Sequence, residues 1–363
     1  MPNNQKLQLG LIAVLVSLMC SCSVEKWRAK PTAVGKPNEI AILWDSTALP
    51  RALRDSIIRY WEQPYIITPQ VEPLFDLRWF RPDQLEADVY KRTLRTYFIP
   101  LSTEDTSSAL HRLVSRYMDH RLLLPAQRVQ LRQYRDIWAK GQIIIVLRAP
   151  NRQALIEGFV RLHPQIQSLI ARHDADVIKA NLYVEGLDPG LRAVVDSMFG
   201  LRLDVPAGYK VAVKRKNVLW LRKDFHEGMQ SLILWKKPYR DTQQLNTRAL
   251  IDDFNAMGKM IKTDIPDDRV VVDDRHFPVY RFTRKIGGLY AVELRGIWMT
   301  QKDFFGGPFV MTVLVDPQRR ELLYLAGLVW APAKDKRDLI QQLSFLINTV
   351  RPKAAVGPNE AAR

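Results

Sequence analysis

Cysteine is almost absent from this 363-residue sequence: there are two, Cys20 and Cys22, both close to the N-terminus. The body of the chain therefore has no disulfide and no thiol redox chemistry, even in an oxidising compartment. The six histidines (His111, His120, His163, His173, His226 and His276) include no pair spaced three or four apart, so no helix presents two zinc ligands on one face. His226-Glu227-Gly228-Met229-Gln230 opens like a zinc-protease motif but has Gln where the second His is required. Gly-x-Ser-x-Gly is missing, the sole Ser-x-x-Lys (Ser23 to Lys26) precedes the globular body, and Gly258-Lys259 lacks the rest of a phosphate loop. Asp264, Asp267, Asp268, Asp273 and Asp274 cluster without the spacing of a calcium loop, with Arg269 and Arg275 competing for them, and read as a solvated acidic loop. No metal and no cofactor is expected, and no catalytic residue can be assigned.

What is present is a globular composition. Hydrophobic residues make up 47%, charged residues 25% and aromatics 9%, which excludes a disordered or collagen-like chain. The length suits two domains or subdomains.

The N-terminus has one lysine, Lys6, then an apolar run from Leu7 to Met19, then Cys20-Ser21-Cys22. A dozen apolar residues are too few to span a membrane stably but match a signal-peptide core. The cysteines that end this run resemble the lipobox of bacterial lipoproteins. Cys22 follows small Ser21 and Cys20 follows bulky Met19, so Cys22 is the lipidation site, with residues 1–21 a lipoprotein signal peptide and 22–38 a basic, proline-containing tether. The expected place is the cell envelope, anchored by lipid (palmitate and related acyl groups) to the outer membrane and facing the periplasm. There the formal charge of +16 points to an anionic lipid, an acidic glycan or another envelope protein, and not to nucleic acid.

Along the body, residues 39–45, 95–101 and 142–148 read as strands, and 49–61, 106–119, 125–139 and 151–173 as helices, the last capped by Asn151. Asp188-Pro189-Gly190 opens another helix that ends at Gly200. Short alternating segments at 209–213, 218–222 and 231–235 make an antiparallel meander. A helix at 247–262, strands at 289–299, 308–316 and 320–330, and a helix at 335–350 follow. The class is α+β, mainly antiparallel sheets backed by helices, in two subdomains: 39–200, and 201–350 with the meander. Residues 351–363 read as a disordered tail.

Two surfaces stand out as candidate sites. In the meander, Lys214, Arg215 and Lys216 beside Trp220 combine cations with an aromatic face, as an anionic sugar or lipid head group requires. In the strand from 289, alternation places Tyr290, Val292, Leu294 and Trp298 inward and Glu293 and Arg295 together on the other face, roughly 7 Å apart. Asp303 and a positive-φ connection through Gly306 and Gly307 would adjoin that pair.

Gly35-Lys36-Pro37-Asn38-Glu39-Ile40, Glu72-Pro73-Leu74-Phe75, Val218-Leu219-Trp220-Leu221-Arg222 and, above all, Tyr290-Ala-Val-Glu293-Leu-Arg295-Gly296-Ile-Trp298 with Asp303-Phe-Phe-Gly306-Gly307-Pro308-Phe309 carry a resemblance. They resemble the domain of unknown function 4837 family (DUF4837), lipoproteins of Bacteroides-related Gram-negative bacteria, from Gly35 to Val350, with Phe305 where the motif has Met. The resemblance implies a lipoprotein and transfers no activity. The expected function is a membrane-anchored, non-enzymatic binding or assembly module of the envelope. The alternative is a hydrolase or transferase acting on envelope glycan or lipid through carboxylates that the sequence leaves unassigned.

Replacing Cys22 by Ala is expected to abolish acyl labelling and signal cleavage in cells, whereas Cys20→Ala leaves both intact. Metabolic labelling with a tagged fatty acid reads the difference.

Overall fold

A computed structural model describes residues 29–66, 70–261, 265–303 and 305–353. In chain order the strands begin with β1 (Glu39–Leu43), β2 (Pro64–Ile66), β3 (Glu72–Pro73), β4 (Asp76–Phe80), β5 (Thr96–Ser102), β6 (Gln130–Arg135) and β7 (Ile143–Ala149). They continue with β8 (Leu201–Arg202), β9 (Lys210–Arg215), β10 (Val218–Phe225), β11 (Gly228–Pro238), β12 (Val270–Val272) and β13 (Tyr280–Ile286), then β14 (Leu289–Thr300), β15 (Gly306–Asp316), β16 (Glu321–Trp330) and β17 (Arg351–Pro352). The helices are α1 (Arg51–Trp61), α2 (Pro82–Ala87), α3 (Ala109–Tyr117), α4 (Arg152–Leu182), α5 (Pro189–Phe199), α6 (Thr247–Gly258) and α7 (Arg337–Asn348). The fold is α+β.

The chain divides into two compact units, one of residues up to 53 with 77–161, the other of 54–76 with 162–363. The division thus falls at 161 rather than at 200. α4 continues unbroken through Pro164 to Leu182, and residues 54–76 supply β2 and β3 to the second unit.

The first unit holds a five-stranded sheet in the order β4-β1-β5-β7-β6, with β1, β5 and β7 mutually parallel. Every residue of β5 and β7 is buried. This is the pattern of parallel strands covered on both faces, and it is why Ile143 to Leu147 reads as an unbroken apolar run. Asn151 caps α4 as expected, its side-chain oxygen accepting from the Ala154 N–H at 2.8 Å. The helix expected at 125–139 is instead edge strand β6, antiparallel to β7. Its polar residues suit either state, and the open edge of β7 decides between them. Part of the expected tether is also bound. The Ala33 N–H donates to the Lys140 carbonyl and the Lys140 N–H to that of Pro31, both at 2.8 Å, and the Val34 N–H donates to the Thr93 carbonyl. The signal segment and Cys22 lie outside the described residues, as do residues 354–363. Arg351 and Pro352, read as the start of a free tail, pair with β8.

The second unit is built on an antiparallel sheet in the order β12-β14-β15-β16-β11-β10-β9, with β13 also pairing β14. Gly287 (φ 56°) and Gly288 (φ 87°) form the two-residue turn between β13 and β14, the pair of left-handed residues that matches strand twist in a tight hairpin. One face of the sheet packs Leu221, Leu232, Val310 and Leu325 against α5 and α7, through Val195, Phe199, Leu343 and Leu346. The opposite face packs Ile233, Phe309, Met311 and Leu328 against Leu250, Phe254 and Met257 of α6. Each such side chain contributes about 1.5–3 kcal/mol by leaving water.

α7 lacks a capping side chain of its own. Glu72 supplies one from a distance: its carboxylate accepts from the backbone N–H groups of Lys336 at 2.8 Å and Arg337 at 2.6 Å. That places a negative charge on a positive helix end. Arg337 returns the tie, its guanidinium donating to the Pro73 carbonyl at 2.8 Å and to the Asp76 carboxylate at 2.7 Å. Glu72→Ala is expected to cost about 1–2 kcal/mol, read as an earlier denaturant midpoint in tryptophan fluorescence, with Glu72→Gln recovering part of the loss.

Candidate functional site

Alternation along β14 separates two buried faces, not an inner and an outer one. Val292, Leu294 and Trp298 face α6 as expected, while Ala291 and Ile297 lie in the core beneath α5 and α7. Tyr290, expected inside, is 45% exposed near the end of the strand. Glu293 is fully buried. Its carboxylate accepts from Arg295 Nε at 2.7 Å and from the Thr312 hydroxyl at 3.3 Å, and it pairs with the Arg284 guanidinium.

Sheet register explains these partners. Thr312 lies directly opposite Glu293 on β15, and Arg284 lies opposite Ala291 on β13, one diagonal step away. Arg284 also donates to the Asn348 side chain of α7 at 3.2 Å, and Arg295 lies 5.2 Å from the Phe282 ring centroid. Burial, then the like charge of Arg295, holds the Arg284 guanidinium below its ordinary value. The Glu293–Arg295 pair read from sequence is therefore present, and a second arginine completes it.

Asp303, Gly306 and Gly307 lie apart from that cluster, on a pocket of about 480 Å³. Its apolar walls include Phe277, Trp298, Met299 and Phe305, and Asp273 and Lys336 are among its polar groups. Gly306 and Gly307 do not have the positive φ expected of them; both belong to strand β15. Close approach is what requires them. A Cβ on Gly307 would sit 2.0 Å from the Val329 carbonyl oxygen, and one on Gly306 would sit 2.9 Å from the Trp298 carbonyl oxygen. The Trp298 indole N–H donates to that same Val329 carbonyl at 3.2 Å, so the ring is locked as a rigid wall.

The turn between β14 and β15 is tied by the Thr300 hydroxyl, which donates to the Asp303 carbonyl at 2.7 Å and accepts from the Phe305 N–H at 3.2 Å. Asp273 is buried and accepts from the His276 backbone N–H at 3.2 Å, with His276 Nδ1 at 2.8 Å from the same oxygen. From the sequence alone Trp298 reads as core and Asp273 as part of a solvated loop. No sequence signal joins them to Lys336, more than thirty residues further along the chain. Among the described residues, no group of three or more His, Cys, Asp or Glu could hold a metal ion.

The basic meander does not form one face. Lys214, Arg215 and Lys216 are exposed, but Trp220 is buried in the core beneath α6. Lys214 pairs with Leu219, a residue of the opposite core, so it points away from the Trp220 face. Trp235, the next aromatic, already has a partner in Lys237, whose ammonium lies 5.7 Å from its ring centroid. Lys237 is itself paired with the Asp253 carboxylate, which also accepts from the Tyr324 hydroxyl, both at 2.6 Å. Burial, then that hydrogen bond, pushes the Tyr324 phenol well above its ordinary value.

A helix-covered antiparallel sheet with a pocket at the β14–β15 turn defines the second unit as an α+β domain. Residues 190–349 match the family described as Domain of unknown function (DUF4837). Residues 33–183 match a different family, Domain of unknown function (DUF8532), so the motifs at Gly35–Ile40 and Glu72–Phe75 fall outside the DUF4837 match. No curated protein matches the chain. A solved structure described as LpqN involved in cell envelope biogenesis of Mycobacterium tuberculosis is similar at 15% identity over 42% of this chain and 83% of that chain. Its TM-score of 0.25 is too slight to transfer fold or role.

Glu293→Gln is expected to destabilise the protein by about 1–3 kcal/mol, because two half-buried guanidinium groups lose the counter-charge they share. Adding Arg284→Met should restore part of the loss, as thermal unfolding of the single and double variants will measure.

Proposed function

We propose that this chain is a lipid-anchored envelope protein whose second unit is a non-enzymatic binding module, with the pocket at the β14–β15 turn as its ligand site. The observation that carries the reading is the pocket itself, a cavity of about 480 Å³ walled by fixed aromatic and aliphatic side chains with a few charged groups among them. That is the composition of sites for small amphiphilic ligands. The apolar part of such a ligand would lie against Trp298 and Phe277, and its polar head would meet Lys336 or the backbone near Gly306. The apolar run before Cys22 supports acylation there and attachment to a membrane, with the body facing the periplasm. Among the described residues no helix is long and apolar enough to cross a membrane. The exposed turn of Lys214, Arg215 and Lys216 would add long-range attraction to an anionic lipid or glycan surface.

One observation favours the enzymatic alternative: two carboxylates, Asp273 and Asp303, line the same pocket, with a histidine hydrogen-bonded to the first. That arrangement suits acid–base work on an envelope glycan or lipid.

Dodecanoate is the probe for the binding reading. It should displace an environment-sensitive dye from the full chain, and Met299→Trp, which fills the pocket, should weaken it about tenfold or more without lowering the melting temperature. Equal binding by parent and variant would place the ligand elsewhere, and turnover lost in Asp273→Asn would favour the enzyme.

A further inference from the structure

The first unit holds a second pocket, of about 510 Å³, lined by Asp119, Arg121, Gln130, Arg132, Tyr134 and Arg148, among others. Strand geometry builds it. Gln130, Arg132 and Tyr134 alternate along edge strand β6 and so share a face, and Arg148 lies directly opposite Gln130 on β7. The 120s segment closes the pocket through Arg148, which donates from Nε to the Leu122 carbonyl at 2.7 Å and from Nη2 to the Leu124 carbonyl.

The charge balance here is unusual. Arg148 is only 8% exposed, yet every acceptor it meets is neutral: those two carbonyls and the Gln130 side-chain oxygen at 3.2 Å. Arg132 shares that Gln130 oxygen at 3.3 Å and, like Arg148, has no carboxylate within ion-pair distance among the described residues. Arg121 and Asp119 neutralise each other at 2.8 Å. The pocket is left with two uncompensated guanidinium groups, one of them buried. Such a charge is costly to bury without an anion. Desolvation, and then repulsion from Arg132, accordingly lowers the Arg148 pKa. Arg148 retains two unused N–H groups, Arg132 has more, and Tyr134 lines the same space.

We infer that this pocket binds a phosphate monoester, whose double negative charge matches the two unpaired guanidinium groups and whose tetrahedral oxygens suit their forked donors. The cavity exceeds the size of inorganic phosphate, leaving room for the group that carries it. This site lies in the unit matched by the second family and is independent of the apolar pocket. The phosphate could belong to a soluble ester or to a lipid head group, and the chemistry of recognition is the same.

Calorimetric titration of the full chain with glycerol 3-phosphate, and sedimentation with phosphatidylcholine vesicles containing phosphatidic acid, separate the two sources. Saturable binding in the first supports a soluble ester, and binding only in the second supports a head group. In whichever arm binds, Arg132→Gln should weaken the interaction about tenfold with an unchanged melting curve, because Arg132 is exposed and holds no backbone group. Arg148→Lys should do the same if it folds. Replacing Lys214, Arg215 and Lys216 together by Ser should leave glycerol 3-phosphate binding unchanged. The inference is overturned if neither arm binds, if Arg132→Gln binds like the parent in the arm that binds, or if the triple variant loses as much glycerol 3-phosphate binding as Arg132→Gln does.

Discussion

The central sheet of the second unit is buried on both faces, and the rest of that unit follows from this constraint. A strand covered on one side can send every second residue to water, but β14, β15 and β16 cannot, since α5 and α7 lie on one face and α6 on the other. A polar side chain in the middle of these strands must find its partner within the protein or lose the hydration it had when unfolded. Glu293 is satisfied by Arg284, Arg295 and Thr312, and Tyr324 by Asp253. These polar interactions tie elements together, because Arg284 also reaches α7 and Asp253 belongs to α6.

The same constraint governs backbone spacing. Near the β14–β15 turn a buried indole has to share space with three strands, and Gly306 and Gly307 make that possible by having no Cβ to meet the Trp298 and Val329 carbonyls. The pocket is a by-product of this economy: small residues beside a large fixed one leave a cavity that nearby side chains do not fill. Ends of the sheet, where strand pairing stops, are where a scaffold can present such a space without disturbing its core.

The first unit solves a different problem. Its parallel strands need cover on both faces and gain it from apolar runs that are nearly featureless. Chemical individuality is confined to the edge, where β6 alternates polar residues over Arg148. An uncompensated guanidinium is a poor stabilising device, which is why its persistence at a pocket, held only by neutral acceptors, points to a ligand.

Periodicity by itself determined most of the element map. The stripe of α6, the three long strands from 289, the Asn151 cap and the helix ending at Gly200 are all set by neighbours within a turn or a strand, so they are legible locally. It also singled out Glu293 with Arg295, because a charged pair inside an apolar strand violates local preference, and Gly306 with Gly307, because two adjacent glycines read as a turn. Tertiary structure decided what those features are for. The second arginine on Glu293 comes from a neighbouring strand, and the atom that forbids a Cβ on Gly307 lies 22 residues away on β16. Trp220 was separated from Lys214 by which face of the sheet each occupies, and β6 became a strand because β7 had an open edge. Glu72 reaches the start of α7 across more than 260 residues. Local sequence carries backbone preference and polarity, whereas the partner of a buried charge and the space beside a glycine depend on segments that meet only after folding.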